Sequence, residues 1–222
     1  FQKEKLKPYW WEEKLWRWYD ADDSAINLFH APTVAYSGEK DIQKQAADVM
    51  ELALAKEGIS MVHIIGPDSG HRIHVDSQKL IEQRMASLAK TGNEIVPKTV
   101  HKVTYSLKYN RQYWITIDAM IEHWEAARID AKILGPSSLE ITSSGTTGLS
   151  FQMDPGLCPF DITRPVQLTI NGEQVRLPSP KSDRSWTASV HLAGSTWVAG
   201  KPVVAGLIKK HGLQGPIDDA FM

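Results

Sequence analysis

Residues 30–38, HAPTVAYSG, decide the first half of the fold, because a short apolar run closed by a glycine is typical of a strand buried on both faces. Apolar residues at helical spacing follow in residues 41–57, DIQKQAADVMELALAKE. Ile59–Ile65 repeats the strand pattern, and a loop over Gly66–Gly70 leads to a second helical pattern over Asp76–Lys90. Strands that alternate with helices across short loops predict a parallel sheet covered by helices.

The pattern changes from about Val96, where short strand-like runs separated by turn residues recur at intervals of about ten residues. These runs are Val100–Leu107, Tyr113–Ile117, Ala127–Ile133, Leu139–Thr142, Leu149–Met153, Val166–Ile170, Gln174–Leu177 and Trp186–His191. Asn171-Gly172, between two of them, is a strong hairpin signal. The sequence therefore predicts an α/β region followed by an all-β, sandwich-like domain.

Tryptophan is abundant at the start of the chain. Of the 8 tryptophans, Trp10, Trp11, Trp16 and Trp18 fall in the segment KPYWWEEKLWRWYD, residues 7–20. Aromatic and apolar residues interleaved with charges predict one or two short amphipathic helices. Aromatic residues at helical spacing usually pack on a core, so we expect a buried face here, with a ligand-stacking platform as the alternative.

The predicted organisation has three parts: residues 1–95 form the α/β region, residues 96–200 the β domain, and residues 201–222 a connector. The chain opens at Phe1 and stops soon after a Gly-Pro turn, which indicates a piece of a longer polypeptide. A truncated sheet would leave an unpaired strand edge and exposed apolar surface. We therefore expect the isolated chain to associate with itself through that sheet.

Composition excludes several classes of partner. The 25 Lys+Arg balance 26 Asp+Glu, and no cationic cluster provides the counterion release on which nucleic-acid binding depends. No apolar run approaches the roughly 20 residues needed to span a bilayer, so neither nucleic acid nor membrane is an expected partner. Cys158 is the only cysteine and cannot form an internal disulfide. Nothing here assigns a cellular compartment.

Two titratable residues follow the predicted parallel strands. Asp41 comes three residues after Gly38, and His71 follows the Gly66–Gly70 loop. Open parallel sheets react at the carboxyl ends of their strands, and a carboxylate beside an imidazole fixes its tautomer and stabilises the imidazolium. Other roles stay open at this point: Asp41 as a helix N-cap, His71 as a loop histidine bonded to backbone, and Glu39 as the acid instead of Asp41.

The run PTVAYSGEKD, a helix, a strand ending in GPDSGH and a second helix together resemble the C-terminal third of an α/β-hydrolase. The closest resemblance is to the prolyl oligopeptidase family of serine hydrolases, over roughly residues 1–92. It implies that Asp41 is the acid and His71 the base of a Ser-Asp-His triad that transfers an acyl group from a peptide or ester substrate to water. The β half and LQGPIDDAF, residues 213–221, resemble a region that follows the hydrolase unit in large bacterial proteins of that family.

The sequence departs from the family pattern at the nucleophile. No Gly-x-Ser-x-Gly occurs, and in Gly66-Pro-Asp-Ser-Gly70 the serine stands one place too late, after the wrong strand. In this fold the serine and the oxyanion donors precede the acid strand. We therefore expect this chain to supply the acid and the base of the triad and to have no catalytic activity by itself. The full-length protein would be a serine hydrolase whose serine lies outside this chain. The N-terminal tryptophans would then form part of a lid over the acyl pocket.

Three further motifs give no reason to expect a cofactor or a metal ion. Ser143–Gly148, SSGTTG, resembles the phosphate loop of acyl-adenylate-forming enzymes but lacks the following Pro-Lys, and its composition suits a hairpin loop. His71-x-x-His74-x-Asp76 is weak as a metal motif without a distant third ligand, and His74 fits a helix entry. Cys158 lies in a Pro-rich loop with no histidine near it in sequence.

A function of another class is a non-catalytic carbohydrate- or protein-binding β-sandwich module attached to a hydrolase scaffold. Its stacking residues would be drawn from the aromatic positions of the β half: Tyr113, Trp114, His123, Trp124, Trp186 and Trp197. Tryptophan in short alternating strands is more often core. Two or more exposed, coplanar rings on one sheet face would favour binding, and buried rings would favour a structural role.

Overall fold

The computed structural model describes residues 7–17, 19–202 and 208–212, and the chain forms two compact units. The α/β unit is Asp20–Glu94, and the β-rich unit combines Phe1–Tyr19 with Ile95–Met222. The fold is mixed α/β and mostly β, as the sequence predicted in outline. No helix among the described residues is long and apolar enough to cross a membrane.

The predicted helices and strands occur in the predicted order with shifted ends, and the described residues also form two short strands and two 3-10 helices that were not predicted. The α-helices are α1 (Trp10–Trp16), α2 (Lys44–Lys56) and α3 (Val75–Thr91), and 3-10 helices span Ala21–His30 and Leu107–Tyr109. The α/β unit contains β1 (Val34–Gly38) and β2 (Val62–Gly66). The β-rich unit contains β3 (Thr99–Thr104), β4 (Arg111–Gln112), β5 (Ile115–Met120), β6 (Ala127–Gly135), β7 (Ser138–Ser144), β8 (Thr146–Met153), β9 (Val166–Ile170), β10 (Glu173–Leu177), β11 (Trp186–Ala193) and β12 (Thr196–Ala199).

The α/β unit is built on a parallel pair. Strand β1 pairs with β2 from Val34↔Val62 to Gly38↔Gly66, and no further strand joins this sheet in the described part of the chain. The buried apolar side chains of this unit are Ala25, Ile26 and Leu54. Apolar side chains that are exposed on its strands and helices include Val62, Ile65, Val49, Leu52, Leu80 and Met85. A larger parallel sheet would cover such apolar side chains with further strands and helices. This two-stranded sheet leaves them exposed to solvent.

In the described part of the β-rich unit, the strands form two five-stranded sheets, with strand orders β10-β9-β7-β6-β3 and β12-β11-β8-β5-β4. Both sheets contribute to one hydrophobic core. Near its centre, the Trp186 ring stacks on Phe151 at 5.5 Å and meets Phe160 edge-on at 5.1 Å. This is the sandwich-like arrangement expected from short strands with alternating inward residues.

Strand β3 is an edge strand that carries an inward lysine. Lys102 shares a sheet face with the core residue Val100, and only 8% of Lys102 is exposed. Burial lowers the pKa of its ammonium group, because the charged form is poorly solvated there. Inward-pointing charge on an edge strand is one way in which sheets resist pairing with another strand.

The N-terminal helix differs from the prediction in burial and in grouping. Trp10, Trp11 and Trp16 are 71%, 47% and 40% exposed, and no described residue of α1 is buried, so the prediction of a core-packed aromatic face is wrong for these three rings. Trp18 lies outside the described residues. The segment groups with the β-rich unit, although it was predicted to belong to residues 1–95, and ion pairs are among the contacts that connect it.

Those ion pairs join the helix to the segment after β5. Lys14 Nζ lies 2.8 Å from a Glu122 carboxylate oxygen, and Arg17 Nη1 lies 3.0 Å from Glu125 Oε2. Hydrogen bonds from Arg17 and Lys14 also lower the pKa of Glu125.

Of the predicted connector 201–222, only residues 201–202 and 208–212 are described, and the LQGPIDDAF segment lies outside them.

The predicted hairpin at Asn171-Gly172 connects β9 to β10, and both turn residues have positive φ, 50° and 86°. We expect Gly172→Ala to lower the free energy of unfolding by about 1 kcal/mol, because a Cβ is strained at that φ. Urea unfolding would measure the change. Gly135→Ala is the matched control, since Gly135 has no heavy atom within 4 Å of an added Cβ and no positive φ. Equal effects of the two substitutions would contradict the backbone explanation.

Candidate active site

The candidate site lies where the two parallel strands end. Because Gly38 pairs with Gly66, β1 and β2 stop at the same level and their following loops run side by side. The structure brings together the two residues predicted from the sequence: Asp41 Oδ2 lies 2.9 Å from His71 Nδ1. The Asp41 side chain is 10% exposed and that of His71 is 76% exposed. A mostly covered carboxylate thus holds one nitrogen of an accessible imidazole.

Backbone contacts fix the two loops against each other. The Glu39 amide donates to the Gly66 carbonyl oxygen and the Lys40 amide to that of Ser69, each at 2.9 Å. A Cβ on Gly38 would collide with the carbonyl oxygens of Ser69 and Gly70. The two loops can therefore approach this closely only because residue 38 is glycine. The separation of Asp41 from His71 is therefore set by main-chain packing.

Glu39, the alternative acid, is engaged elsewhere. Its Oε2 accepts a hydrogen bond from the Asp68 amide at 2.8 Å, on the same pair of loops. No described contact joins Glu39 to His71. The structure therefore places Asp41, and not Glu39, beside the imidazole.

Asp41 accepts two kinds of hydrogen bond. The Gln43 amide donates to Oδ1 at 2.9 Å, which forms a turn just before α2, while Oδ2 faces His71. The amide of Gln43 and then the His71 imidazole hold the pKa of Asp41 below its ordinary value. The N-cap of α2 is Gln43, so the interpretation of Asp41 as the helix N-cap is wrong; its Oδ1 closes the turn before the helix while Oδ2 faces His71.

His74 does not join His71. It is the N-cap residue of α3, and its Nδ1 accepts a hydrogen bond from the Asp76 amide at 3.3 Å, as expected for a helix entry. Among the described residues, the one group of side chains spaced to hold a metal ion lies elsewhere and contains Asp48, Glu51 and His63. The His-x-x-His-x-Asp motif therefore forms no cluster here.

Sequence reasoning missed a serine-histidine-carboxylate arrangement that lies elsewhere in the α/β unit. Ser37 Oγ lies 3.0 Å from His63 Nε2, and His63 Nδ1 lies 3.6 Å from Glu51 Oε2. Ser37 is 5% exposed within β1, so a substrate carbonyl has no approach to its hydroxyl. The strand register could have predicted the contact between Ser37 and His63. Because His63 is opposite Ala35, Ser37 lies on the same face of the sheet as a diagonal neighbour of His63.

The remaining motifs have structural roles in the β-rich unit. SSGTTG spans the end of β7 and the start of β8, the hairpin loop that its composition favours. Cys158 is buried, and burial raises the pKa of its thiol, which disfavours the reactive thiolate. Trp114, Trp186 and Trp197 are core residues, at most 5% exposed.

Comparisons with protein-family models, curated proteins and solved structures found no match to this chain. The resemblance to α/β-hydrolases therefore rests on the sequence motifs alone.

The depressed pKa of Asp41 makes stability depend on pH. Because the folded pKa lies below the unfolded one, its stabilising contribution is present above the ordinary carboxyl pKa and is lost as pH falls through the folded value. We expect carboxyl ¹³C NMR titration to give a midpoint for Asp41 below 3.8, the ordinary value. His71→Ala should raise this midpoint only partly, since the Gln43 amide is the larger cause.

His74→Ala is the matched control for that titration, because His74 has no contact with Asp41. It should leave the midpoint of Asp41 unchanged. A midpoint that reaches the ordinary value in His71→Ala would contradict the dominance of the Gln43 amide.

Proposed function

We propose that Asp41 and His71 are the acid and the base of a serine hydrolase of the α/β-hydrolase type, similar to the prolyl oligopeptidase family. The serine of this triad lies outside these 222 residues, where a Gly-x-Ser-x-Gly elbow would precede the acid strand. The chain supplies two of three triad members and has no hydrolase activity by itself. The substrate is a peptide or an ester whose acyl group is transferred to water.

One observation carries the proposal: the 2.9 Å contact joins Asp41 to Nδ1 of His71, and not to Nε2. In a serine triad the carboxylate binds Nδ1–H, which leaves Nε2 to take the proton of the serine hydroxyl. No described residue bonds Nε2 of His71, and the ring is 76% exposed. The imidazole therefore has its acid partner in place and its other nitrogen free for a nucleophile.

The position of the pair within the sheet also supports the proposal. Asp41 follows one parallel strand and His71 follows the next along the chain, and these strands are neighbours. That is the order of acid and base in α/β-hydrolases, at the strand ends where open sheets react. A surface ion pair without a catalytic function could form anywhere on the protein and would not need to lie at the carboxyl ends of adjacent parallel strands.

In the proposed reaction, His71 Nε2 accepts the serine proton as the hydroxyl oxygen attacks the acyl carbon. Asp41 holds the ring orientation and stabilises the imidazolium that results. His71 then returns the proton to the leaving amine or alkoxide, and the same steps with water release the acid. The depressed pKa of Asp41 keeps the carboxylate ionised through this cycle.

Three of the tryptophans named for the binding-module alternative are buried in the sheets. Trp114, Trp186 and Trp197 are 2%, 1% and 5% exposed, so they cannot form a stacking platform. Tyr113 and Trp124 are only half-buried, but they do not make a pair of exposed tryptophans on one sheet face. The buried rings favour a structural role for these three strand tryptophans.

Labelling with a fluorophosphonate probe tests the proposal. We expect no labelling of the 222-residue chain and labelling of the full-length gene product, abolished by His71→Ala. Asp41→Asn in that product should lower kcat by about 100- to 10,000-fold, because the tautomer of the base is no longer fixed. The matched control is Glu39→Gln, which should retain nearly full activity.

Two results would contradict the proposal. One is labelling of the 222-residue chain itself, at Ser37 above all, since that would identify a nucleophile within these residues. The other is full activity of the full-length protein after His71→Ala. Equal losses in Asp41→Asn and Glu39→Gln would count against Asp41 as the acid.

A further inference from the structure

The α/β unit contains a cluster of one imidazole and two carboxylates that the proposed triad does not use. His63 Nδ1 lies 3.6 Å from Glu51 Oε2 and 3.9 Å from Asp48 Oδ1. The three ligand atoms all lie within 4.8 Å of one another. Nitrogen and oxygen donors at this spacing form the set that borderline divalent ions such as Zn²⁺ prefer.

The fold explains why these side chains converge. Asp48 and Glu51 are three residues apart on α2, so they lie on the same helix face. His63 comes from β2, and its side chain is directed at that face. No sequence motif brings them together, because the helix and the strand are joined by a loop and meet only after folding.

His63 is oriented by a second contact. Its Nε2 lies 3.0 Å from Ser37 Oγ, which can accept a hydrogen bond from Nε2–H. In that tautomer Nδ1 carries a lone pair and faces the carboxylates. Histidine ligands of metal ions commonly donate their other ring N–H to such an outer-shell acceptor.

The contacts of Nδ1 are too long to be hydrogen bonds, whose N···O distances are about 2.7–3.2 Å. The His63 side chain is nevertheless only 7% exposed, so water has little access to the ring. An ion bound at about 2.0–2.2 Å from each ligand would separate the ligand atoms by roughly 3.3–3.6 Å. The 3.6 Å and 3.9 Å contacts of Nδ1 are close to that spacing, and the three ligand atoms, which all lie within 4.8 Å of one another, would move closer together as the ion binds.

We propose that Asp48, Glu51 and His63 bind a divalent transition-metal ion of the Zn²⁺ class. Ser37 is a positioning residue that holds the imidazole tautomer, and water completes the coordination. The imidazole ligand selects against Mg²⁺ and Ca²⁺, which prefer all-oxygen sites. The site is distinct from the Asp41–His71 pair, so the two proposals stand or fall separately.

Lys44 competes with the ion. Its Nζ lies 2.5 Å from Asp48 Oδ1, and the lysine side chain is 36% exposed. The ammonium group occupies the carboxylate oxygen that the ion needs, and it must swing into solvent when the ion binds. Removal of the lysine charge should therefore tighten metal binding.

Titration of the metal-free 222-residue chain with Zn²⁺ against a chromophoric chelator tests the site. We expect one ion per chain with micromolar or tighter affinity and no comparable binding of Mg²⁺. Glu51→Gln and His63→Ala should weaken binding by more than about 100-fold, and Ser37→Ala by about tenfold. Lys44→Gln should strengthen it.

Matched variants keep the test falsifiable. Glu51→Gln is isosteric at a half-exposed position and should retain the fold even where His63→Ala does not, as circular dichroism would establish. Co²⁺ absorption bands that disappear in Glu51→Gln would report loss of a ligand directly. Asp41→Asn and His71→Ala should leave metal affinity unchanged.

The proposal is overturned if the wild-type chain binds no stoichiometric Zn²⁺, as expected if His63 only packs between the two carboxylates. It is equally overturned if folded Glu51→Gln binds as tightly as the wild type. Loss of binding in His71→Ala with retention in Glu51→Gln would place the ion at the Asp41–His71 pair, and would also contradict this site.

Discussion

The in-register parallel pairing of β1 with β2 is the constraint on which both sites depend. It ends the two strands together at Gly38 and Gly66, which brings the Asp41 and His71 loops into contact. The same register places Ser37 diagonally across from His63 on the face directed at α2. A shift of one residue would turn alternate side chains to the opposite face and would dismantle both arrangements.

The sequence predicted the first of these sites and not the second, for a physical reason. Asp41 and His71 follow strand ends, and strand ends are located by a short apolar run and its closing glycine. His63 lies inside a strand, where its apolar neighbours suggest only burial. Its partners Asp48 and Glu51 look like the polar face of an amphipathic helix, because helical spacing identifies a face but not what that face meets.

The N-terminal segment illustrates a second limit of prediction from sequence. Ring size and helical spacing predicted burial, yet Trp10 is 71% exposed, and the segment is connected through Lys14 and Arg17. Their partners, Glu122 and Glu125, lie more than one hundred residues away in the sequence. Ion pairs between such distant positions produce no local sequence pattern, so they cannot be predicted from one. The hairpin at Asn171-Gly172 was predictable because its turn depends on two adjacent residues.

Lys102 lies at the edge of the sheet with strand order β10-β9-β7-β6-β3. Only 8% of Lys102 is exposed on edge strand β3, and no described side chain forms an ion pair with it. A strand that docked against this edge would remove its remaining hydration, and burial of an unpaired charge costs several kcal/mol. The number of strands in this sheet is thus limited by solvation as well as by chain length, and an acidic residue on an incoming strand would be the means of extending it.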